Sequence, residues 1–252
     1  MKRYLYNYQT IVTFATPVTN HSVLLRCMPI NLGHQAVEEE HIIYSPEFRM
    51  QRAKDAFGNR ILYGGSREPH SSLAYVSAGI VTVEPYAVYS GAKVSPVFLM
   101  PSKLTTLAID VAERYIADVE KDAAAICAMV HDMIEYTPRT TDVDTPVAQV
   151  LETRQGVCQD YAHLMITLCR KAGIPARYVC GFIEGTGETH AWVEVFDGYG
   201  WTGYDPANNI KIEYGYVKLS HGRDAADCSV SRGIYTGATV QTQRVSVTLQ
   251  EI

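Results

Sequence analysis

The sequence predicts an α+β protein in two parts: a small β-sandwich domain over residues 1–95, and a domain of helices packed on an antiparallel sheet over residues 96–252. Three observations carry this reading. Apolar and polar residues alternate in short runs through the first third of the chain, the period of half-buried strands. Pro85, Pro96 and Pro101 then punctuate it. Beyond them the apolar spacing changes to the i, i+3, i+4 rule of helices and returns to strands only after Pro175.

Tyr4, Tyr6 and Tyr8 alternate with polar residues and lead into Ile11, Val12 and Phe14, a strand. Pro17-Val18-Thr19-Asn20 supplies turn chemistry, and the apolar run resumes from Val23 to Met28. Asp55-Ala56-Phe57-Gly58-Asn59 reads as the turn of a hairpin between Phe48–Met50 and Ile61-Leu62-Tyr63. Leu73 to Val83 is a longer strand, and several short strands at such spacing suit a small sandwich. The prolines mark a seam at residues 85–101. Leu104, Leu107, Ala108, Val111, Tyr115 and Ile116 then follow helical spacing, with Ser102 or Thr105 available as the cap. Asp122 is placed to cap a second helix through Met133, and Thr137 to Pro146 is a polar loop.

The segment from Gln155 to Pro175 is the most informative. Gly156 permits a tight approach, a helix runs from Cys158 to Ala172, Gly173 suits the position after its end, and Pro175 prevents continuation. Cys158 therefore opens a helix, where unpaired N–H groups and the positive end of the dipole favour a thiolate and are ready to receive an oxyanion. Downstream, Arg177–Ile183 and Thr189–Phe196 read as strands around a turn at Glu184–Glu188, and Gly200-Trp201-Thr202-Gly203-Tyr204-Asp205 follows a second turn. His190 and Asp205 thus fall near one edge of adjacent strands. An imidazole there holds the thiol proton, and a carboxylate fixes its tautomer through the other ring nitrogen.

Composition narrows the function classes. Hydrophobic residues make up 47% and charged residues 19%, the balance of a soluble globular protein. No uninterrupted apolar stretch reaches the ~20 residues of a membrane-spanning helix. The N-terminal residues alternate like a strand, not like a signal peptide, so the expected location is the cytoplasm. The net charge of −5 divides as +2 over residues 1–100 and −7 over residues 101–252. A basic stripe for phosphates is lacking, which argues against nucleic acid as a partner. The six cysteines, Cys27, Cys127, Cys158, Cys169, Cys180 and Cys228, are expected to be reduced, and none shows CxxC spacing. Cys127, Cys169 and Cys180 lie in apolar patterns, where free cysteine behaves as a small hydrophobe.

Gly156-Val157-Cys158-Gln159-Asp160-Tyr161-Ala162-His163, then His190-Ala191-Trp192-Val193-Glu194-Val195, then Gly200-Trp201 and Asp205-Pro206 resemble the three signature blocks of the transglutaminase-like superfamily. His221–Asp227 and Arg232–Gly237 resemble the tail blocks of its bacterial branch, and Asp55–Asn59 a turn of that branch's N-terminal β region. The resemblance implies a papain-like α+β core with a catalytic triad of Cys158, His190 and Asp205. It further implies acyl transfer at an amide bond of a peptide or protein substrate, with hydrolysis favoured because bacterial members are viewed as cysteine proteases. Water as acceptor makes a protease, an amine makes a transglutaminase, and the same residues serve both.

The animal enzymes place an indole upstream of the cysteine as oxyanion donor, whereas Trp192 and Trp201 are both downstream. Gln155, Gln159 and the Cys158 N–H are the candidates in its stead, with Gln155 put forward as the side chain. Thr141-Asp142-Val143-Asp144 offers too few ligands for calcium, so neither metal nor cofactor is expected. Two other functions compete: a binding module with a dead triad, against which the intact Cys, His and Asp argue, and a zinc site built from the same three residues. His163 reads as structural, His131-Asp132 as surface, and Asp224 or Asp227 as a brace of its loop. The oligomeric state is not legible.

Overall fold

In the computed structural model, residues 1–89, 93–116 and 122–252 are described. The strands before the seam are β1 (Lys2–Leu25), β2 (Gln35–Ser45), β3 (Arg49–Lys54), β4 (Arg60–Ser66), β5 (His70–Val83) and β6 (Val88–Tyr89). There follow α1 (Ile109–Ile116), α2 (Ala123–Met133), β7 (Glu135–Tyr136), α3 (Val147–Thr153), β8 (Gln155–Gly156) and α4 (Cys158–Lys171). The chain ends with β9 (Ala176–Ile183), β10 (Gly185–Gly187), β11 (His190–Phe196), β12 (Gly200–Asp205), β13 (Ile210–Lys211), β14 (Tyr216–Gly222), α5 (Ala225–Cys228), β15 (Ser231–Thr236) and β16 (Gln241–Glu251).

β1 organises the N-terminal region. Its first half lies between β16 and β5, and its second half between β15 and β4, so two antiparallel sheets share one strand. β2 extends the first sheet from β5, and β3 extends the second from β4. Tyr4, Tyr6 and Tyr8 point inward from the first sheet, Val23 and Leu25 from the second, and all five pack in one core. The expected turn at Pro17–Asn20 is instead an irregularity within this unbroken strand, where the registers shift between Thr13 and Val18 and between Thr19 and Ser22. Pro17 sits where the strand passes from one sheet to the other, so its missing N–H breaks no ladder. The hairpin at Asp55 is present, with the Asp55 carboxylate accepting from the Phe57 and Asn59 N–H groups, both at 3.0 Å.

The second region is an antiparallel sheet in the order β13-β12-β11-β9-β14, with β6 on β12. α4 packs across β11 and β9, and Leu164, Met165, Leu168 and Cys169 meet Tyr178, Cys180, Ala191 and Val193 in its core. α2 is capped by Asp122, whose carboxylate accepts from Ala124 and Ala125. α1 begins later than the apolar spacing predicts. Ser102, Thr105 and Thr106 bond one another and the Ser102 backbone, and such local bonds compete with helix formation. Neither Ser102 nor Thr105 therefore caps it, though Leu104 and Leu107 are buried.

The boundary expected between residues 95 and 96 does not divide the molecule. β15 and β16 pair with β1, and β10, expected as part of a turn, pairs with β16. Phe182, Val217 and Leu219 of the second sheet also join the tyrosine core of the first. The two regions thus share strands and a core. Part of the seam, residues 90–92, lies outside the described residues.

Candidate active site

The approach to Cys158 is built backbone first. β7 and β8 pair in parallel and deliver the chain to the start of α4. The Asp160 carboxylate folds back to accept from the Val157 N–H at 2.8 Å and from the Thr141 hydroxyl at 2.6 Å. This is the reaching-back half of a capping box, and it holds the first turn of the helix. Gly156 makes room for it: a Cβ there would stand 2.7 Å from the Asp160 Cβ. Burial raises the Asp160 pKa, against the lowering pull of Thr141 and the Val157 N–H. Cys158 is partly exposed while the other five cysteines are buried and unpaired.

His190 opens β11 opposite Gly181 of β9. A Cβ at Gly181 would lie 2.5 Å from the Trp192 indole and 2.2 Å from the Val217 carbonyl oxygen, so the close passage of these strands beside His190 requires glycine. His190 Nε2 lies 2.6 Å from Asp205 Oδ2, and Cys158 is the other group close enough to act on the imidazole. With Nε2 on the carboxylate, Nδ1 is the nitrogen left for sulfur. Burial alone would lower the His190 pKa; the bond to Asp205 and the contact with Cys158 outweigh it and raise it to about 10.

Asp205 collects donors on both oxygens. Oδ1 accepts from Ala207 N at 3.0 Å and Asn208 N at 3.2 Å; Oδ2 accepts from Asn208 Nδ2 and the Tyr216 hydroxyl, each at 2.7 Å, besides the imidazole. Burial would raise its pKa, and His190, Tyr216 and Asn208 hold it below the ordinary value instead. Burial and the Asp205 charge push the Tyr216 phenol up, which keeps it a donor. Sequence reasoning missed Tyr216 and Asn208.

Behind this row lies a buried ion cluster. Glu194 accepts from Arg177 Nε at 2.5 Å, Lys218 Nζ at 2.6 Å and the Tyr86 hydroxyl at 2.7 Å, while Trp192 Nε1 donates to the Tyr86 oxygen at 2.9 Å. Burial would raise Glu194, but the two cations hold it well below the usual carboxylate range. Burial, then Arg177, draws Lys218 down to about 7 against the pull of Glu194. Trp192 stands edge-on to Tyr216 at 5.3 Å, which links the cluster to the Asp205 row.

The remaining expected residues are placed as follows. Gln155 is half-buried on β8, three positions before the thiol. Gln159 donates to the Asp142 carbonyl at 3.3 Å and so is engaged by the 137–146 loop. His163 is buried and accepts from the Ala225 N–H, with burial lowering its pKa to about 4. His131 is half-buried instead of superficial, with Nδ1 3.1 Å from the Pro206 carbonyl. Asp224 caps α5, and Asp227 accepts from the Arg223 backbone and guanidinium. Among the described residues, no group of three or more His, Cys, Asp or Glu side chains is arranged to hold a metal ion.

Residues 106–206 match the family model described as transglutaminase-like superfamily, and residues 4–82 match that of the bacterial transglutaminase-like N-terminal region. The chain belongs to the transglutaminase-like superfamily. Among its relatives, protein ML0607 of Mycobacterium leprae is 29% identical over 91% of this chain and 92% of its own length. Protein Rv2569c of Mycobacterium tuberculosis is likewise 29% identical, over 96% of this chain and 88% of its own. The protein-glutamine gamma-glutamyltransferase of Pseudomonas aeruginosa is 33% identical, but over 46% of this chain and 20% of its own length. A solved structure described as a "Putative Cysteine Protease from Cytophaga hutchinsonii" covers 100% of this chain with 91% of its own, at 22% identity and a TM-score of 0.83. That likeness establishes a shared transglutaminase-like fold.

Proposed function

We propose that this transglutaminase-like protein is a cysteine acyl-transfer enzyme that opens an amide bond, peptide or isopeptide, through a thioester on Cys158. The observation that carries the reading is His190, bonded to Asp205 at 2.6 Å and acted on by Cys158 at the start of α4. His190 takes the proton of Cys158, the sulfur attacks the carbonyl carbon, and the C–N bond breaks as His190 returns the proton to the departing amine. Asp205 remains ionised throughout, orienting the ring and stabilising its charged form. Hydrolysis of the thioester by water completes the favoured reaction on a peptide or protein substrate.

An amine acceptor is the second reading, favoured by the similarity to a protein-glutamine gamma-glutamyltransferase. An intact triad speaks against a purely binding role. Six unpaired cysteines support a reducing compartment, and with it the cytoplasm, as the place of work.

The test compares wild type, Cys158→Ala and His190→Ala on casein. New amino groups report hydrolysis, and uptake of a fluorescent primary amine reports transfer. Activity of either kind should vanish in both variants while their melting temperatures stay close to wild type. Turnover that survives Cys158→Ala refutes the proposal.

A further inference from the structure

Thioester formation, as proposed above, puts a negative charge on the substrate's carbonyl oxygen, and the inference here rests on that reading. The Cys158 N–H, at the first position of α4, has no partner within its helix and supplies one donor for that charge. A second donor has to come from a side chain beside the thiol. Gln159 is bonded to the loop, and neither tryptophan lies ahead of the cysteine.

Tyr136 occupies the required position. It pairs with Gly156, two residues before Cys158, in the parallel ribbon of β7 and β8. The ribbon is held by Glu135 N donating to the Arg154 carbonyl at 2.8 Å and Thr137 N donating to the Gly156 carbonyl at 2.9 Å. The Tyr136 ring rests against Tyr161, with centroids 6.2 Å apart and planes inclined by 33°. Tyr161 follows Cys158 by three positions on α4, so it lies on the neighbouring face of the first turn. It is pinned by its own hydroxyl, which donates to the Ile134 carbonyl. The backbone pairing with Gly156 and the ring contact with Tyr161 together hold Tyr136 beside the start of α4. It is nevertheless 52% exposed, which is open space of the kind an incoming acyl group needs.

The charges around the phenol agree with this placement. Burial raises its pKa first, followed by Cys158, Glu188, Asp205 and Asp160. Glu188 stands two residues before His190, so the charges acting on the phenol include both Cys158 and the segment that carries His190. Surrounded by negative groups, the hydroxyl keeps its proton and remains a donor.

We propose that the Tyr136 hydroxyl is a catalytic residue that donates a hydrogen bond to the substrate's carbonyl oxygen as Cys158 attacks, in partnership with the Cys158 N–H. Sulfur forms its bond to carbon while the π pair of the C=O moves onto oxygen. That oxygen is held by the two donors without proton transfer. The pair then returns, the C–N bond breaks, and the amine leaves with the proton carried by His190. This gives the role expected of the missing upstream indole to a phenol, and moves it away from Gln155.

The test uses two electrophiles on one thiol. Acetylation of Cys158 by p-nitrophenyl acetate passes through an oxyanion, with p-nitrophenolate as the leaving group. Alkylation by iodoacetamide displaces iodide and forms no oxyanion. Tyr136→Phe keeps the ring against Tyr161 and removes only the donor. The expected result is a ~10²-fold slower acetylation, the usual consequence of losing one such donor, with the alkylation rate unchanged. Acetylation that is unchanged, or that falls in step with alkylation, overturns the assignment of Tyr136 and leaves Cys158 as the nucleophile. A wild-type protein that acetylates elsewhere than Cys158 overturns the thioester reading itself, and this inference with it.

Discussion

Replacing Asp205 by Asn keeps the shape of the side chain and removes its charge. The lost interaction is the 2.6 Å bond to His190 Nε2, a charge-assisted bond worth about 1.5–3 kcal/mol. At 1.36 kcal/mol per pKa unit, the His190 midpoint should fall by roughly one to two units from its value of about 10. Stability should fall as well. Oδ1 and Oδ2 both face only donors, so either orientation of the Asn amide sets its NH2 group against N–H or O–H groups. Leaving donors unpaired in this way costs about 1–3 kcal/mol. The pH dependence follows from the direction of the His190 shift. A histidine whose folded midpoint lies above its ordinary 6.5 stabilises the protein fully below that value, and the stabilisation is lost as pH rises through about 10. The stability gap between wild type and variant should therefore narrow toward pH 10. An NMR titration of the His190 ring, with denaturant melts at several pH values, measures both quantities. A His190 midpoint that does not move in Asp205→Asn would refute the claim that this carboxylate holds the imidazole charged.

Two further outcomes follow from burial and charge. Iodoacetamide should modify Cys158 before any other thiol, because Cys27, Cys127, Cys169 and Cys180 are buried and pushed up to about 12 and Cys228 is raised as well; mass mapping that finds Cys27 or Cys228 modified first contradicts the site. Glu194→Ala should destabilise by about 3–5 kcal/mol, since it strands the wholly buried Lys218 beside Arg177; a loss below ~1 kcal/mol in denaturant melts shows that the cluster is compensated elsewhere.

The site was more legible in the sequence than its surroundings. Gly156, Gly173 and Pro175 bracket α4 with local signals, and His190 and Asp205 fall on strands whose alternation is plain. Tyr216 and Asn208 carry no such signal, because their approach to Asp205 depends on how strands are placed in the sheet. The ion cluster did leave a trace. Arg177, Glu194 and Lys218 are charged residues within largely apolar runs of three strands, and Arg177 and Glu194 turn out to be directly opposite across the ladder. β2 was missed because most of its residues are exposed or half-exposed on both faces, so no clean alternation marks it. The return of β15 and β16 to β1 was missed because local periodicity identifies strands without naming their partners.

That return has a kinetic consequence. Tyr4 pairs with Glu251, and along one edge eleven residues of β1, from Tyr4 to Phe14, pair with β16. Pairing them closes a loop of nearly the whole chain, which adds entropy to the folding barrier and puts the protein among slow, high-contact-order folders. Until β16 arrives, the long edge of β1 stays open to other chains, so a refolding yield that falls with protein concentration is the expected cost of this topology.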